Sequence, residues 1–259
     1  MKSSRLLHFT LSAASGIFAV AGLGITASAQ TTPSTVILVH GAWADASSWS
    51  KVIPRLVGAH VNVVAVSLPL TSLADDVATT ERAIALVNGP VMLVGNSYGG
   101  AVITEAGNDP KVVGLIFVAA YAPDNGEPSL SLATANPTPV GAQIRPDASG
   151  FLKLTATGIA EDFGQDLSDI EKLNLIATQG PTAGVALGAL ATRPAWKNKP
   201  TWFVIAANDR TVSPELEETE ARRMNATTIT LPTSHLAMLA APERVADFIK
   251  AALEKAGVK

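Results

Sequence analysis

Ser97 stands in Gly95-Asn96-Ser97-Tyr98-Gly99-Gly100, directly after the apolar run Val91-Met92-Leu93-Val94 and before Ala101-Val102-Ile103. A serine between a buried strand and a helix sits on a sharp turn with its hydroxyl projecting from the sheet edge, and small neighbours let the backbone fold that tightly. The Gly-x-Ser-x-Gly string alone is a weak signal, but the strand before it and the helix after it make Ser97 a candidate nucleophile. Such a serine needs a base. Beyond the first 29 residues the chain has only His40, His60 and His235. His60 reads as a surface loop residue, and His40, just before a strand-ending glycine, as a residue that orders its loop through hydrogen bonds. His235, in the turn Pro232-Thr233-Ser234-His235, is then the candidate base. Asp209 follows the apolar run Trp202–Ala207 and is the candidate acid to orient it, with Asp124, after Val118–Pro123, as the competitor. Glu215, Glu217 and Glu218 read as the solvated face of a helix. Acyl transfer also requires backbone N–H donors aimed at the developing oxyanion. Ala42, after His40-Gly41, and Tyr98, after the serine, are in position to supply them.

These residues must be brought together by the elements around them. Short β-branched runs at 35–39, 61–66, 91–95, 112–119, 202–206 and 227–231 read as strands buried on both faces. Helical stretches at 48–57, 73–87, 99–107, 214–224 and 242–255 alternate with them, Ser72 being the N-cap of the second, with Asp75 and Asp76 in its first turn. Strand and helix in alternation imply right-handed crossovers and a doubly wound, mostly parallel α/β sheet. The alternation fails from about 123 to 200, a Pro-, Gly-, Ala- and Thr-rich stretch with weak helical patches at 169–178 and 184–191 and no convincing strand. A segment that long between two core strands reads as an inserted lid.

Composition narrows the chemistry. The chain of 259 residues has no cysteine, which excludes thiolate metal sites, iron–sulfur clusters and disulfides, and its net charge of −3 gives no basic footprint for nucleic acid. Lys2 and Arg5, an apolar run from Leu11 to Ile25 and the motif Ala27-Ser28-Ala29 read as a secretory signal peptide over 1–29, so export to the periplasm or the medium is expected, with Gln30 as the new terminus. The domain is then 30–259, with 17 basic against 22 acidic residues and no membrane anchor. The loose dinucleotide-type pattern at Gly22-Leu23-Gly24 follows no strand and falls within this leader.

Taken together, His40-Gly41-Ala42, Gly95-Asn96-Ser97-Tyr98-Gly99-Gly100, the strand-end Asp209 and Ser234-His235-Leu236-Ala237-Met238-Leu239 resemble the α/β-hydrolase fold over Thr35–Ala256, with the chain order Ser, Asp, His that this fold uses. More narrowly, they resemble the branch that contains plant methylesterases, hydroxynitrile lyases and many bacterial hydrolases. The resemblance implies an ester hydrolase working through an acyl enzyme, without metal or organic cofactor. Many relatives have His where Asn96 stands. Hydroxynitrile lyases of the branch place Lys directly after the catalytic His, so Leu236 disfavours cyanohydrin cleavage. A carbon–carbon bond hydrolase, a lactonase or a perhydrolase would use the same residues, since fold and triad leave the substrate open. A non-catalytic ligand-binding protein would be expected to have lost Ser97 or His235. The apolar lid predicts a small to medium neutral ester as substrate, with Trp43, Phe151 and Trp196 as candidate contacts. Preference for a charged ester would point instead to Arg145, Lys153 or Arg193. Oligomeric state is left open.

Overall fold

The computed structural model describes residues 34–258; the expected signal peptide and its cleavage site lie outside the described residues. Six strands form a parallel sheet: β1 (Thr35–Val39), β2 (Asn62–Val66), β3 (Val91–Ser97), β4 (Val112–Ala120), β8 (Thr201–Ala206) and β9 (Thr227–Leu231), in the order β2-β1-β3-β4-β8-β9. Three short strands, β5 (Ile144–Pro146), β6 (Phe151–Leu154) and β7 (Thr182–Ala183), make a separate antiparallel sheet. The TVILV of β1, apolar after Thr35, and the VMLV of β3 are buried along their whole length, as strands covered by helices on both faces must be. Chain order runs from β1 outward to β2 and then back across to β3, so the loops after β1 and β3 diverge. At such a switch point a crevice opens at the carboxyl edge of the sheet.

The helices follow their local signals. Ser72 caps the helix Leu73–Ala85 by accepting from the Asp75 amide at 3.1 Å. In the helix Pro242–Lys255 the buried Val245, Ala246, Phe248, Ile249, Ala252 and Leu253 recur at helical spacing and close one face of the sheet. The helix expected over 48–57 is instead a 3-10 turn, Ala46–Trp49, followed by the helix Ile53–Gly58. Pro54 explains the break: it has no N–H to carry the ladder through from the preceding turn, and it is tolerated where a helix begins.

Two expectations change more deeply. β3 runs two residues past the expected 91–95, so that Ser97 itself ends the strand; Gly, Asn and Ser read locally as turn residues, but the ladder to β4 holds them extended. The lid contains strands that the sequence did not suggest. β5 and β6 have three and four residues, too few to show alternation, and their hairpin is closed by the Asp147 carboxylate, which accepts from the Ser149 and Phe151 amides. Between these strands and the helix Asp169–Thr178 lies a single π-helical turn, Ile159–Phe163. A helix at Ser129–Ala135 and a shorter one at Gly184–Gly188 complete the lid.

The helix Pro214–Arg223 also departs from its sequence reading. Glu217 is not on a solvated face: it is fully buried, with Leu216, Glu220 and Ala221. Helical spacing puts residues three and four apart on one side, and here that side carries two carboxyl groups, Glu217 against the end of β8 and Glu220 against the Ala122 amide just beyond β4.

Candidate active site

Ser97 has φ +55 and ψ −127, a conformation that costs a non-glycine residue of order 1–3 kcal/mol unless its surroundings enforce it. The surroundings do. A Cβ on Gly95 would lie 2.5 Å from the Gly99 carbonyl oxygen, and one on Gly99 would lie 2.6 Å from the carbonyl oxygens of Val39 and His40. The absence of side chains therefore lets the turn close on itself and lets the helix Tyr98–Ala106 dock onto the end of β1. Opposite the elbow, Ala119 bulges out of β4 with φ +46, shifting the register between Asn96 and Ser97. The Asn96 amide donates to the Val118 carbonyl beside that bulge at 2.9 Å, and more weakly to the His235 carbonyl at 3.4 Å. Asn96 thus joins the elbow to the histidine loop through side-chain hydrogen bonds.

The two expected oxyanion donors lie on adjacent loops. Tyr98 is the first residue of its helix, so its amide has no acceptor in the helix, and among the described residues neither it nor the Ala42 amide donates to a loop or side-chain acceptor. Trp43, next to Ala42, has φ +58 and is held by two lid residues: its amide donates to Thr182 Oγ1 and its indole N–H to the Leu152 carbonyl, both at 3.1 Å. The Tyr98 hydroxyl donates to Asp76 Oδ2 at 2.7 Å, and Asp76 Oδ1 accepts from the Leu70 amide at 2.8 Å. Burial raises the pKa of Asp76. The residue following the serine is thereby fixed at both backbone and ring.

His235 and Asp209 meet as the sequence suggested. His235 Nδ1 lies 2.6 Å from Asp209 Oδ2, with both side chains fully buried. A carboxylate accepts, so Nδ1 carries the proton and Nε2 presents a lone pair; Nε2 is buried and has no hydrogen-bond partner among the described residues. Asp209 Oδ1 accepts from the Thr211 and Val212 amides at 2.6 and 3.0 Å. Asp124 lies elsewhere, paired with Lys197. His40 is committed on both ring nitrogens, Nδ1–H donating to the Gly41 carbonyl at 2.8 Å and Nε2 accepting from the Leu68 amide at 3.0 Å. Burial lowers its pKa, in keeping with a neutral ring that orders the loop after β1. His60 is exposed in a turn.

Several contributors left no local signal. The π-helical turn and the residues after it brace the loops that carry Asp209 and His235: Arg210 Nε donates to Asp162 Oδ1 at 2.8 Å, Gln165 Nε2 to the Asn208 carbonyl at 2.7 Å, and the Ser234 amide to Asp166 Oδ2 at 2.7 Å. Phe163 packs on the imidazole of His235 with ring centroids 5.1 Å apart, and edge-on to Trp43 at 6.4 Å. Behind Asp209, Glu217 Oε2 accepts from the Ala206 amide at 2.9 Å, and its carboxyl lies within hydrogen-bonding reach of Asp209. Burial, reinforced by that neighbour, holds the Glu217 pKa well above the usual carboxylate range.

A cavity of about 290 Å³ opens beside Ser97, Ala42, Trp43 and Tyr98 and is roofed by lid residues that include Leu130, Ala133, Val140, Ile144 and Leu187. Among the described residues, no charged side chain lines it. Phe151 and Trp196 are not among its walls. Phe151 pairs with Ala183 in the lid sheet, and Trp196 is buried with its indole N–H on the Pro123 carbonyl at 3.0 Å. Both pack the lid instead of facing the cavity, whereas the helix Ser129–Ala135, which sequence did not suggest, forms much of the roof. Arg145, Lys153 and Arg193 are exposed and do not line it.

The sequence model of the Alpha/beta hydrolase family matches residues 36–248. Methylesterase 8 of Arabidopsis thaliana is 26% identical over 247 residues, covering 85% of this chain and 89% of the relative. Among solved structures, a pyrethroid hydrolase from Sphingobium faniae superposes with a TM-score of 0.74 at 20% identity, over 85% of this chain and 97% of that one. A methylesterase from Arabidopsis superposes with a TM-score of 0.74 at 16% identity, over 85% and 98%. The match across nearly all of the described residues, on a sheet whose carboxyl edge carries Ser97, Asp209 and His235, shows that this chain belongs to the alpha/beta hydrolase family.

Proposed function

We propose that the chain is an exported serine hydrolase that cleaves small to medium neutral carboxylic esters through Ser97, His235 and Asp209. The observation that carries this reading is the 2.6 Å contact between His235 Nδ1 and Asp209 Oδ2, which leaves Nε2 as the free basic nitrogen at the sheet edge where Ser97 lines the cavity. Nε2 takes the Ser97 hydroxyl proton as Oγ attacks the ester carbonyl. The carbonyl oxygen becomes an anion, which the Ala42 and Tyr98 amides stabilise. His235 returns the proton to the departing alcohol, and water then releases the acyl group by the same route in reverse. The relatives' names, methylesterase and pyrethroid hydrolase, agree with ester cleavage.

The uncharged walls of the cavity support a neutral substrate, because a carboxylate placed among them would be desolvated without a partner. The test has two parts. A fluorophosphonate probe is expected to label Ser97, and labelling of another residue overturns the triad. A neutral ester is expected to exceed a same-length ester with a terminal carboxylate in kcat/KM by about 100-fold or more. Parity or reversal overturns the substrate class. Export is read from residues 1–29 alone, and N-terminal sequencing of the exported protein should begin at Gln30.

A further inference from the structure

We propose that Glu217 is a positioning residue of the triad: its carboxyl stays protonated and donates its proton as a hydrogen bond to the Asp209 carboxylate, holding that carboxylate on His235 Nδ1. The inference rests on the triad reading above and extends it by one shell.

The geometry begins with burial. Glu217 is fully buried, and only one of its oxygens finds an N–H donor: Oε2 accepts from Ala206, the last residue of β8. Ala206 in turn accepts from the Asp209 amide through its carbonyl at 3.1 Å, so Glu217 grips the strand end from which the Asp209 turn is folded. Oε1 is buried without an N–H or hydroxyl donor, while the carboxyl of Asp209 is within hydrogen-bonding reach. Two carboxylates in contact and out of water repel strongly, and one proton shared between them removes the repulsion. Three N–H donors converge on the Asp209 carboxyl, two from the backbone and one from the imidazole, whereas Glu217 receives one. The proton therefore resides on Glu217, where it makes an O–H···O⁻ bond, among the stronger hydrogen bonds in proteins. No proton is transferred in this arrangement.

The other titratable groups facing Glu217 agree with a neutral carboxyl there. Glu220 on the same helix and Tyr121 just beyond β4 are buried, and burial raises the pKa of both, so neither brings a compensating positive charge. The nearby Arg223 is committed to Glu127, the Ala122 carbonyl and, at 3.7 Å, Glu220. Raising the pH should thus strip the proton from Glu217 and set two anions against each other behind His235.

The experiment compares wild type, Glu217→Gln, Glu217→Leu and Glu220→Gln, each checked for folding by circular dichroism. It follows kcat and KM on a p-nitrophenyl ester across pH, together with the downfield proton resonance of the imidazole N–H bonded to Asp209. Wild type should lose kcat on the alkaline side, with the resonance shifting in step. Glu217→Gln donates an amide N–H that cannot ionise, so its alkaline decline should move to higher pH and its resonance should stay constant. Glu217→Leu should lower kcat about tenfold or more with KM close to wild type, a loss that Gln largely recovers. Identical alkaline limbs and resonances in wild type and Glu217→Gln would overturn the proposal, as would finding that Glu220→Gln alone abolishes the response. Absence of fluorophosphonate labelling at Ser97 in wild type defeats the triad reading itself, whereas labelling with no Glu217 effect defeats only this extension.

Discussion

At the turn around Ser97 the geometry is held by backbone: glycines at 95 and 99 let carbonyls approach, and the β3–β4 ladder reaches Ser97 itself. Around the Asp209 and His235 loops the geometry is held by side chains that come from far along the chain. Asp166 reaches Ser234 across 68 residues, Asp162 reaches Arg210 across 48, and Gln165 reaches Asn208 across 43. Backbone packing of this kind tolerates almost no substitution but needs no partner. Side-chain bracing can be loosened one bond at a time, so the two regions should fail differently when mutated.

The largest effects are expected from the reacting groups. Ser97→Ala and His235→Ala should each lower kcat by a factor on the order of 10⁶, and the double variant should be little worse than either, since triad members act as a unit. Steady-state and burst kinetics check this; additive losses would separate the two residues. Asp209→Asn should keep the fold and lower kcat by roughly 10⁴ through the wrong imidazole tautomer. Asp124→Asn, which removes only the pairing with Lys197, should change kcat little, and a reversal of that order would move the acid to Asp124.

The lid braces come next. Asp166→Ala frees the Ser234 amide beside His235 and should cost up to about 100-fold in kcat, the scale of a small misplacement of a catalytic group. Fluorophosphonate labelling of Ser97 should persist at a reduced rate, because the elbow is built without the lid. Complete loss of labelling would mean that the two regions are not separable. By contrast Gly99→Ala forces a Cβ against the carbonyls of Val39 and His40, and should give poorly folded protein by thermal melting.

The smallest effect is a stability change with pH. Burial pushes the Glu220 carboxyl up to about 8 from 4.5, so the folded state binds a proton that the unfolded chain has released between those values. Its contribution to stability is whole below pH 4.5, declines as pH rises and is gone above about 8. Glu220→Gln should flatten that slope in Tm, and an unchanged slope would assign it to another group.

The sequence by itself determined the parts of this protein whose physics is local. Apolar and β-branched runs bounded by turn residues located the six sheet strands to within two residues: burial on both faces leaves a continuous signal in the central strands, while the edge strands β2 and β9, expected to be buried on both faces, are largely exposed and were found by their β-branched residues. Ser97 between strand and helix, and the shortage of histidines, singled out the pair that the sheet then carries to one edge; Asp209 and Asp124 both follow strands in the sequence, and it is Asp209 that the fold sets against His235. What only the tertiary structure decided depends on partners distant in sequence. Three lid strands too short to alternate, the burial of Glu217 and Glu220, the replacement of Phe151 and Trp196 by the helix Ser129–Ala135 as cavity wall, and the bond from Asn96 to the bulge at Ala119 are of this kind. A glutamate on a helix reads as solvated until the surface it packs on is known. Here that surface is the end of β8, and long-range packing alone puts it there.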